Sequence, residues 1–325
     1  LCITFTEKAK KEMFDAIYEK AQEKFSDADI MKINIHTFHS FAYNYLLDAG
    51  LISGDIVGNN LMRFSILNSF EKNQALNYGK DYIINTIVPK TENSIRYIKS
   101  FGITPDKIDI KKATSTLEEI FDAKSSRYSL EELKSFLKYF IDAYKEYEKS
   151  KQEAIDYSDM LLMFKEKFKG DKFQHVLVDE MQDMNEIEAD IATMVAKNLF
   201  LVGDAKQAIF GFQGGSVKNF QKFMKTCDKK MLSTNRRSSQ QILDYSKQHF
   251  LKGTSSREDY EKELSVFKGL KTGEIPKVFS TSAHLSKILE VIGENPEKSI
   301  GIITRTKTQI IKISKFLDSN SIEYT

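Results

Sequence analysis

The sequence predicts an α/β fold in which a parallel sheet is interrupted by a block of helices. Two short apolar runs, 176–178 and 199–202, end in acidic or glycine-acid segments. Neither run alternates polar and apolar residues, which is typical of a strand buried on both faces of a parallel sheet. Segments with helical spacing lie between the strands, and this alternation indicates parallel βαβ units.

Size and composition limit the possible classes of protein. The chain has 325 residues, enough for two or three domains, and 41% of them are hydrophobic. Because 48 Lys and Arg nearly balance 46 Asp and Glu, any contact with nucleic acid must come from a local groove. The two cysteines, Cys2 and Cys227, are too few for a disulfide framework. We therefore expect a reducing, intracellular and cytoplasmic setting.

The first elements alternate strand and helix. We expect a strand over 1–5, a helix from residue 7 to about 24 with Thr6 as its N-cap, and a short strand over 33–35. Residues 36–41 then open a helix that ends near residue 48. Because a core strand occupies the first residues, we expect the chain to be a fragment of a longer protein.

The next hundred residues differ in character. Turn signals separate helical stretches, no strong strand run is present, and positions 130–149 have the clearest helical spacing of apolar residues. We interpret this near-neutral block as an all-helical insertion between two strands of one sheet. The predicted domain organisation is a first sheet domain in two parts, an inserted helical subdomain and the start of a second sheet domain. These domains span 1–48 with 151–233, then 49–150, and then 234–325.

The α/β pattern resumes after the helical block. Predicted helices cover 158–169, 185–196, 217–226, 238–251, 282–292 and 307–317. Predicted strands cover 175–178, 199–202, 230–232, 277–279, 299–303 and 322–324. Residues 253–273 are polar and are expected to form a loop with one or two helical turns.

The end of the strand near residue 178 carries the first chemical signal. Ligands of open α/β sheets bind at the carboxyl ends of the strands. Asp179 can hold Mg²⁺ there, because a hard cation takes oxygen ligands, and Glu180 can accept a proton from an attacking water. The alternative is a helix N-terminus carrying acids that the helix dipole favours.

A second signal follows the strand near residue 201. Gln207 can both donate and accept, which suits a group that senses a γ-phosphate or orients a water. Phe210 and Phe212, separated by one glycine, could stack on exposed bases, whereas ordinary core packing is the alternative. In a third motif, 235–238, an arginine could reach a phosphate, although two solvated arginines remain the alternative.

Together these motifs resemble superfamily 1 helicases of the UvrD/Rep type. The resemblance covers nearly the whole chain, and the motifs stand in the order of the family. The matching segments are 4–9 with 12–13 (motif Ia), 37–40 (Ib), 155–161 (the return into the first domain), 179–183 (the Walker B motif II), 203–214 (III), 235–238 (IV) and 302–306 (IVa). It implies a P-loop NTPase fold with RecA-like domains.

The resemblance also implies roles for single residues. Asp179 would hold Mg²⁺, Glu180 would activate water, and Gln182 and Gln207 would couple the state of ATP to DNA. Arg237 would contact the γ-phosphate. The implied contacts to single-stranded DNA are Phe5, Phe210 and Phe212 with bases, and Thr37, His39 and Arg305 with the backbone. For His39 alone, a packed or capping histidine is the alternative.

Some features depart from the family pattern. The Walker A loop, G-x-x-x-x-G-K-[ST], is absent, and we expect it upstream of Leu1, with motifs V and VI beyond Thr325. Arg236 stands where the family usually has a tyrosine that stacks on adenine, although a guanidinium can also lie flat on a base. Gln213 replaces a usual arginine. We expect this chain alone neither to hydrolyse ATP nor to unwind DNA.

The expected function of the parent protein is that of a DNA motor. The resemblance implies Mg²⁺- and ATP-dependent 3′→5′ movement on single-stranded DNA and unwinding at single-strand/double-strand junctions, in DNA repair or recombination. Two alternatives stay open. One is an ATPase-dead DNA-binding relative, and the other is the helicase part of an AddA- or RecB-like helicase–nuclease.

Overall fold

The computed structural model describes residues 1–53, 56–72, 78–122, 126, 128–208, 217–254 and 257–324. The chain forms two compact units, Leu1–Lys229 and Lys230–Thr325. No helix in these described ranges combines the length and the apolar character needed to cross a bilayer.

In the described part of the first unit, four parallel strands form a sheet, which confirms the predicted α/β class. Its strands are β1 (Cys2–Thr4), β2 (Ile35–Thr37), β3 (Phe173–Val178) and β4 (Ala196–Leu201), in the spatial order β2-β1-β3-β4. Ile3 pairs with Val178, and Val178 pairs with Leu201. This register brings the carboxyl ends of β1, β3 and β4 to one edge of the sheet.

Helices fill the remainder of the first unit. In chain order they are α1 (Glu7–Ala21), α2 (Asp27–Ile30), α3 (Phe38–Asp48), α4 (Asn59–Lys72), α5 (Lys80–Tyr82), α6 (Val88–Lys99), α7 (Ile110–Ile120), α8 (Leu130–Ser150), α9 (Tyr157–Lys167), α10 (Glu186–Val195) and α11 (Val217–Thr226). A π-helical turn, Ile83–Ile87, joins α5 to α6.

Side-chain caps explain where several of these helices begin. Thr6 accepts a hydrogen bond from the backbone N–H of Ala9 at 3.1 Å, as predicted for the N-cap of α1. Thr37, Asp156 and Asn185 cap α3, α9 and α10, and each of these three caps is part of a reciprocal capping box. Each cap satisfies backbone donors that the first turn of a helix leaves without partners.

The burial of the sheet corrects one prediction. Val176 and Val178 are buried against α3, α9 and α10, but Leu177 is 39% exposed and Phe200 is 61% exposed. Successive side chains of a strand point to opposite faces, and these three helices cover only one face. The prediction that both faces of β3 and β4 are buried is therefore wrong for the described residues.

The helical block has a hydrophobic cluster of its own. Met62 and Ile66 of α4 pack with Ile95 of α6 and Tyr144 of α8. The two ends of the block in sequence lie side by side, because Ile56 forms a parallel bridge with Ile155. The backbone N–H of Val57 donates to the carbonyl of Ile155 at 2.9 Å. This arrangement is compatible with the predicted insertion, whose boundaries stay a prediction.

The described residues of the second unit form a small parallel pair of strands and four helices. They are β5 (Thr234–Ser239), α12 (Gln240–Gly253), α13 (Arg257–Leu264), β6 (Lys268–Lys271), α14 (His284–Gly293) and α15 (Lys307–Ser319). Ser239, the last residue of β5, caps α12, and its hydroxyl accepts the backbone N–H of Ile242 at 3.4 Å. β6 lies within the segment that was predicted to be a loop.

Four strands predicted for this region do not form. Residues 230–232, 277–279, 299–303 and 322–324 have no strand structure. A strand needs a neighbour for its backbone hydrogen bonds, and Ile303 is 96% exposed while Val278 is 69% exposed. Apolar composition alone therefore did not produce strands here, because no described strand lies beside them.

Candidate active site

The segment that follows β3 is held between the neighbouring strands. The backbone N–H of Asp179 donates to the carbonyl of Ile3 at 3.0 Å, and the N–H of Met181 donates to the carbonyl of Val202 at 2.9 Å. These bonds continue the ladders of the sheet past the end of β3. Asp179 is half-buried and Glu180 is exposed at this edge.

Glu180 adopts a backbone conformation that is unusual for its residue type. Its φ of 53° and ψ of 44° lie in the left-handed region, which costs a side chain with a Cβ about 1–3 kcal/mol. Its backbone N–H donates to Oδ1 of Asp179 at 3.0 Å. The sharp turn at this position separates two consecutive acids at the edge of the sheet, and such strain is often found at functional sites.

A chain of hydrogen bonds links three of the predicted site residues. Nε2 of Gln182 donates to Oε2 of Glu180 at 2.6 Å, and Oε1 of Gln182 accepts the backbone N–H of Asp204 at 3.0 Å. Oδ2 of Asp204 then accepts a hydrogen bond from Nε2 of Gln207 at 3.1 Å. Glu180, Gln182 and Gln207 are therefore brought together, with Asp204 as the connecting residue.

Gly203 permits the close approach of these two segments. A Cβ at this position would lie 2.5 Å from Oε1 of Gln182 and 2.5 Å from Cγ of Met181. Sequence reasoning did not single out Gly203 or Asp204 as site residues. The available signal was a glycine–acid pair directly after an apolar strand, since a glycine there often marks a close approach of backbone.

Two carboxyl groups at this edge, those of Asp179 and Asp183, have raised pKa values. Burial raises the pKa of Asp179, and the charge of Glu180 adds to this effect although the Glu180 N–H opposes it. Burial also raises the pKa of Asp183, again with a contribution from Glu180. Within the described ranges no salt bridge reaches Asp179, Glu180 or Asp183. Oxygen ligands without a cationic partner are a donor set that suits a divalent cation such as Mg²⁺.

The structure also locates the residues predicted to contact DNA. Phe5 follows β1 and is half-buried. The hydroxyl of Thr37 accepts the backbone N–H of Ser40 at 3.1 Å and so caps α3. The ring of His39 meets that of Tyr157 edge-on at 5.5 Å, and burial lowers its pKa. Phe210 and Phe212, and also Gln213, lie outside the described residues.

The predicted residues of the second unit lie on its surface. Arg236 and Arg237 are exposed on β5, close to the point where α12 begins. Oδ1 of Asn235 accepts the N–H of Arg237 at 2.9 Å and that of Ser238 at 2.7 Å, and these bonds stabilise the bent end of the strand. Arg305 is exposed just before α15.

Comparison with known proteins finds a helicase family model and several DNA helicases that are similar to this chain. Residues 1–228 match the family model described as the UvrD/REP helicase N-terminal domain. A "Probable DNA helicase II homolog" of Mycoplasma pneumoniae is 26% identical over 98% of this chain and 45% of the relative. An "ATP-dependent DNA helicase PcrA" of Leuconostoc citreum is 27% identical over 75% of this chain and 32% of the relative. The chain thus spans less than half the length of these two relatives.

Proposed function

The chain belongs to the UvrD/REP helicase family, and we propose that the protein containing it is an ATP-dependent DNA helicase. The observation that carries this proposal is the hydrogen-bonded chain from Glu180 through Gln182 and Asp204 to Gln207. It connects a candidate catalytic acid to the segment that follows the neighbouring strand.

Asp179 is the proposed holder of Mg²⁺. When bound, the ion would neutralise charge on the phosphates of ATP. One oxygen of Asp179, Oδ1, accepts the N–H of Glu180, and that bond fixes the direction of the carboxylate. Burial and the charge of Glu180 raise the pKa of Asp179. A bound cation would stabilise its ionised form.

Glu180 is the proposed general base. The bond from Gln182 engages Oε2 of Glu180, so the second oxygen, Oε1, is the atom that can accept a proton from water. The side chain is exposed, and water can therefore reach it. A positioned base of this kind contributes about 10²–10⁴-fold to a rate.

Gln182 and Gln207 are the proposed coupling residues. A change in the charge or position of Glu180 alters the bond that Gln182 donates, and Gln182 in turn holds the backbone N–H of Asp204. Asp204 also accepts the backbone N–H of Lys206 at 3.0 Å and so fixes the turn that carries Gln207. Phe210 and Phe212 follow this turn in the sequence, which is why we propose them as contacts to DNA bases.

The remaining assignments rest on the family resemblance and are part of the same proposal. Arg237, with Arg236 beside it, is proposed to contact ATP phosphates or adenine from the second RecA-like domain. Thr37, His39 and Arg305 are proposed to contact the DNA backbone. Movement in the 3′→5′ direction, action at single-strand/double-strand junctions and a role in repair or recombination are likewise inferred from the family.

The test is an assay of the full-length protein. We expect Mg²⁺-dependent ATP hydrolysis that rises on addition of single-stranded DNA, and unwinding of a duplex with a 3′ tail but not of one with a 5′ tail. Absence of any DNA-stimulated hydrolysis would refute the motor and favour an ATPase-dead relative. We expect no hydrolysis by the 325-residue chain alone, because its sequence contains no G-x-x-x-x-G-K-[ST] loop.

A further inference from the structure

Lys206 lies in the short 3₁₀ turn Ala205–Gln207 that follows β4. Its Nζ atom is 2.8 Å from Oδ1 of Asp204, and its side chain is only 15% exposed. A lysine in a surface turn usually extends into water, because its ammonium group is strongly hydrated. The ammonium group of Lys206 instead folds back onto the turn that carries the candidate coupling residue Gln207.

The carboxylate of Asp204 divides its two oxygens between different partners. Oδ1 accepts the backbone N–H of Lys206 at 3.0 Å as well as the ammonium group of the same residue at 2.8 Å. Oδ2 accepts Nε2 of Gln207 at 3.1 Å. Because two donors hold Oδ1, rotation of the carboxylate is restricted and Oδ2 keeps its direction. Lys206 therefore supports the bond between Asp204 and Gln207 from the other side of the carboxylate.

The ammonium group also stabilises the charge of Asp204. Burial raises the pKa of this carboxyl group, but the hydrogen bonds from Lys206 and Gln207 outweigh burial and lower the pKa overall. Hydrogen bonds to an ionised acceptor are roughly twice as strong as those between neutral groups. An ionised Asp204 thus holds the amide of Gln207 more firmly than a neutral side chain would, and Lys206 offsets the cost of half-burying that charge.

The bond to Asp204 decides how the amide of Gln207 is oriented. A carboxylate only accepts hydrogen bonds, so the amide must turn its nitrogen and not its oxygen towards Asp204. Oε1 then serves as an acceptor, and the second N–H of the amide serves as a donor. Gln207 is exposed, so water and a phosphate can reach it. An acceptor for the attacking water and a donor for a phosphate are the two functions that hydrolysis requires of this residue.

The same turn is tied to the candidate base. The backbone N–H of Asp204 donates to Oε1 of Gln182, whose Nε2 donates to Oε2 of Glu180. Asp204 therefore joins the base through its backbone and Gln207 through its side chain. Displacement of reacting groups by about 1 Å can lower a rate about 10²-fold, so a group that holds Asp204 in place affects the rate.

We propose that Lys206 is a positioning residue for ATP hydrolysis, because its ammonium group holds the Asp204 carboxylate that orients the amide of Gln207. This inference rests on the proposed function, since it needs a protein that hydrolyses ATP. A lysine at this edge has two other conceivable uses, which are a direct bond to a phosphate of ATP and a direct bond to the backbone of DNA. The three roles change different kinetic constants.

Lys206→Met in the full-length protein tests the proposal, because methionine keeps an extended side chain and removes the charge. We expect the kcat of DNA-stimulated ATP hydrolysis to fall about tenfold, as for loss of one hydrogen bond to a charged group. The KM for ATP and the DNA concentration for half-maximal stimulation should each change less than about threefold. Lys206→Arg, which can still donate to Oδ1, should retain at least about half of the wild-type kcat.

A double-mutant cycle shows whether Lys206 acts through Gln207. Lys206→Met should lower kcat about tenfold when Gln207 is present but less than about twofold in the background of Gln207→Ala. A merely structural role would lower the rate by the same factor in both backgrounds. Equal factors in the two backgrounds therefore overturn the inference.

Lys197→Met is the matched control, because it removes the same charge from an exposed residue near the start of β4. It should leave kcat, KM and the half-maximal DNA concentration unchanged. Urea denaturation shows whether each variant is folded, and Lys206→Gln, which also removes the charge, takes the place of Lys206→Met if the methionine variant does not fold.

The remaining outcomes separate the inference from the proposed function. A KM for ATP that rises about tenfold at unchanged kcat assigns Lys206 to ATP binding, and a similar rise in the half-maximal DNA concentration assigns it to DNA binding. Either result overturns the inference, as does normal kcat in Lys206→Met beside an active wild type. Absence of DNA-stimulated hydrolysis in the wild type overturns the proposed function as well.

Discussion

Two clusters of carboxyl groups in the first unit have opposite surroundings. One joins the helical block to α9 and contains Asp156 and Asp159 with the ammonium groups of Lys99 and Lys151. The other lies at the edge of the sheet and contains Asp179 and Asp183, which no salt bridge reaches among the described residues. The residue types are the same, so the difference comes from their partners.

The first cluster is satisfied from within the protein. Lys99 is 2% exposed, and its Nζ donates to Asp156 at 2.7 Å, to Asp159 at 2.6 Å and to Glu148 at 2.8 Å. The hydroxyl of Tyr147 also donates to Asp156 at 2.8 Å. Burial disfavours the charge of Asp156, but the two lysines outweigh it and hold its pKa at about 2.

The second cluster behaves in the opposite way. Burial raises the pKa of Asp179 and that of Asp183, and it raises the pKa of the nearby Glu188 to about 7. Carboxyl groups whose charge is compensated by lysines of the protein stabilise the packing of the helical block against α9. Carboxyl groups kept without compensation are candidates to bind a ligand. The following predictions test this distinction, from the largest expected effect to the smallest.

Removal of the candidate base should have the largest effect. In the full-length protein we expect Glu180→Gln to lower the rate of ATP hydrolysis about 10²–10⁴-fold, because the amide cannot accept the proton. Nucleotide binding, measured by equilibrium titration, should be retained. Glu186→Gln, an exposed acid at the start of α10, is the control and should hydrolyse ATP normally. Full turnover by Glu180→Gln would exclude this residue as the base.

Removal of the cation from the first cluster should unfold the chain more easily. Lys99→Met leaves three carboxylates partly uncompensated in a buried site, and we expect the free energy of unfolding to fall by about 3–5 kcal/mol. Urea denaturation followed by circular dichroism measures the change. Lys165→Met breaks an exposed pair with Asp190 and should change stability by about 1 kcal/mol or less. Equal losses of unfolding free energy in the two variants would show that the buried cluster does not stabilise the fold more than an exposed ion pair.

Neutral replacement of Glu188, which lies in α10 near Asp183, should increase stability at neutral pH. The pKa of Glu188 rises from 4.5 in the unfolded chain to about 7 in the folded chain. The folded state therefore loses stability as the pH rises from about 4.5 to about 7, by about 3 kcal/mol in total. The stability of Glu188→Gln relative to wild type should increase by about this amount between pH 4 and pH 8. A constant difference between the two proteins would contradict the assignment.

The smallest expected effect is the loss of the stabilisation by Asp156 at acidic pH. The pKa of Asp156 is 3.8 when unfolded and about 2 when folded, so its ionised form stabilises the fold above pH 3.8, and this stabilisation is lost as the pH falls towards 2. We expect the loss to be about 2 kcal/mol. The stability difference between wild type and Asp156→Asn should shrink by this amount between pH 6 and pH 2. No shrinkage would mean that Asp156 has an ordinary pKa.

The sequence predicted much of the first unit because its signals are local. A run of apolar residues that ends in acids located β3, and the capping threonine at position 6 located the start of α1. The predicted helix 217–226 coincides with α11. The second unit was less predictable, since strand formation needs a neighbouring strand that spacing within a segment does not reveal.

By itself the sequence determined the parallel α/β class, the family, and the acids and amides at the ends of the strands. Only the tertiary structure decided which of those groups meet. The bond that the backbone N–H of Asp204 donates to Gln182 joins residues 22 positions apart, and the bond from Lys99 to Asp156 joins residues 57 positions apart. Among the described residues, Oδ1 of Asp183 has no hydrogen-bond partner, and this is visible only once burial is known. Local patterns specify an element and its chemistry, whereas the compensation of a buried charge depends on distant segments that packing brings together.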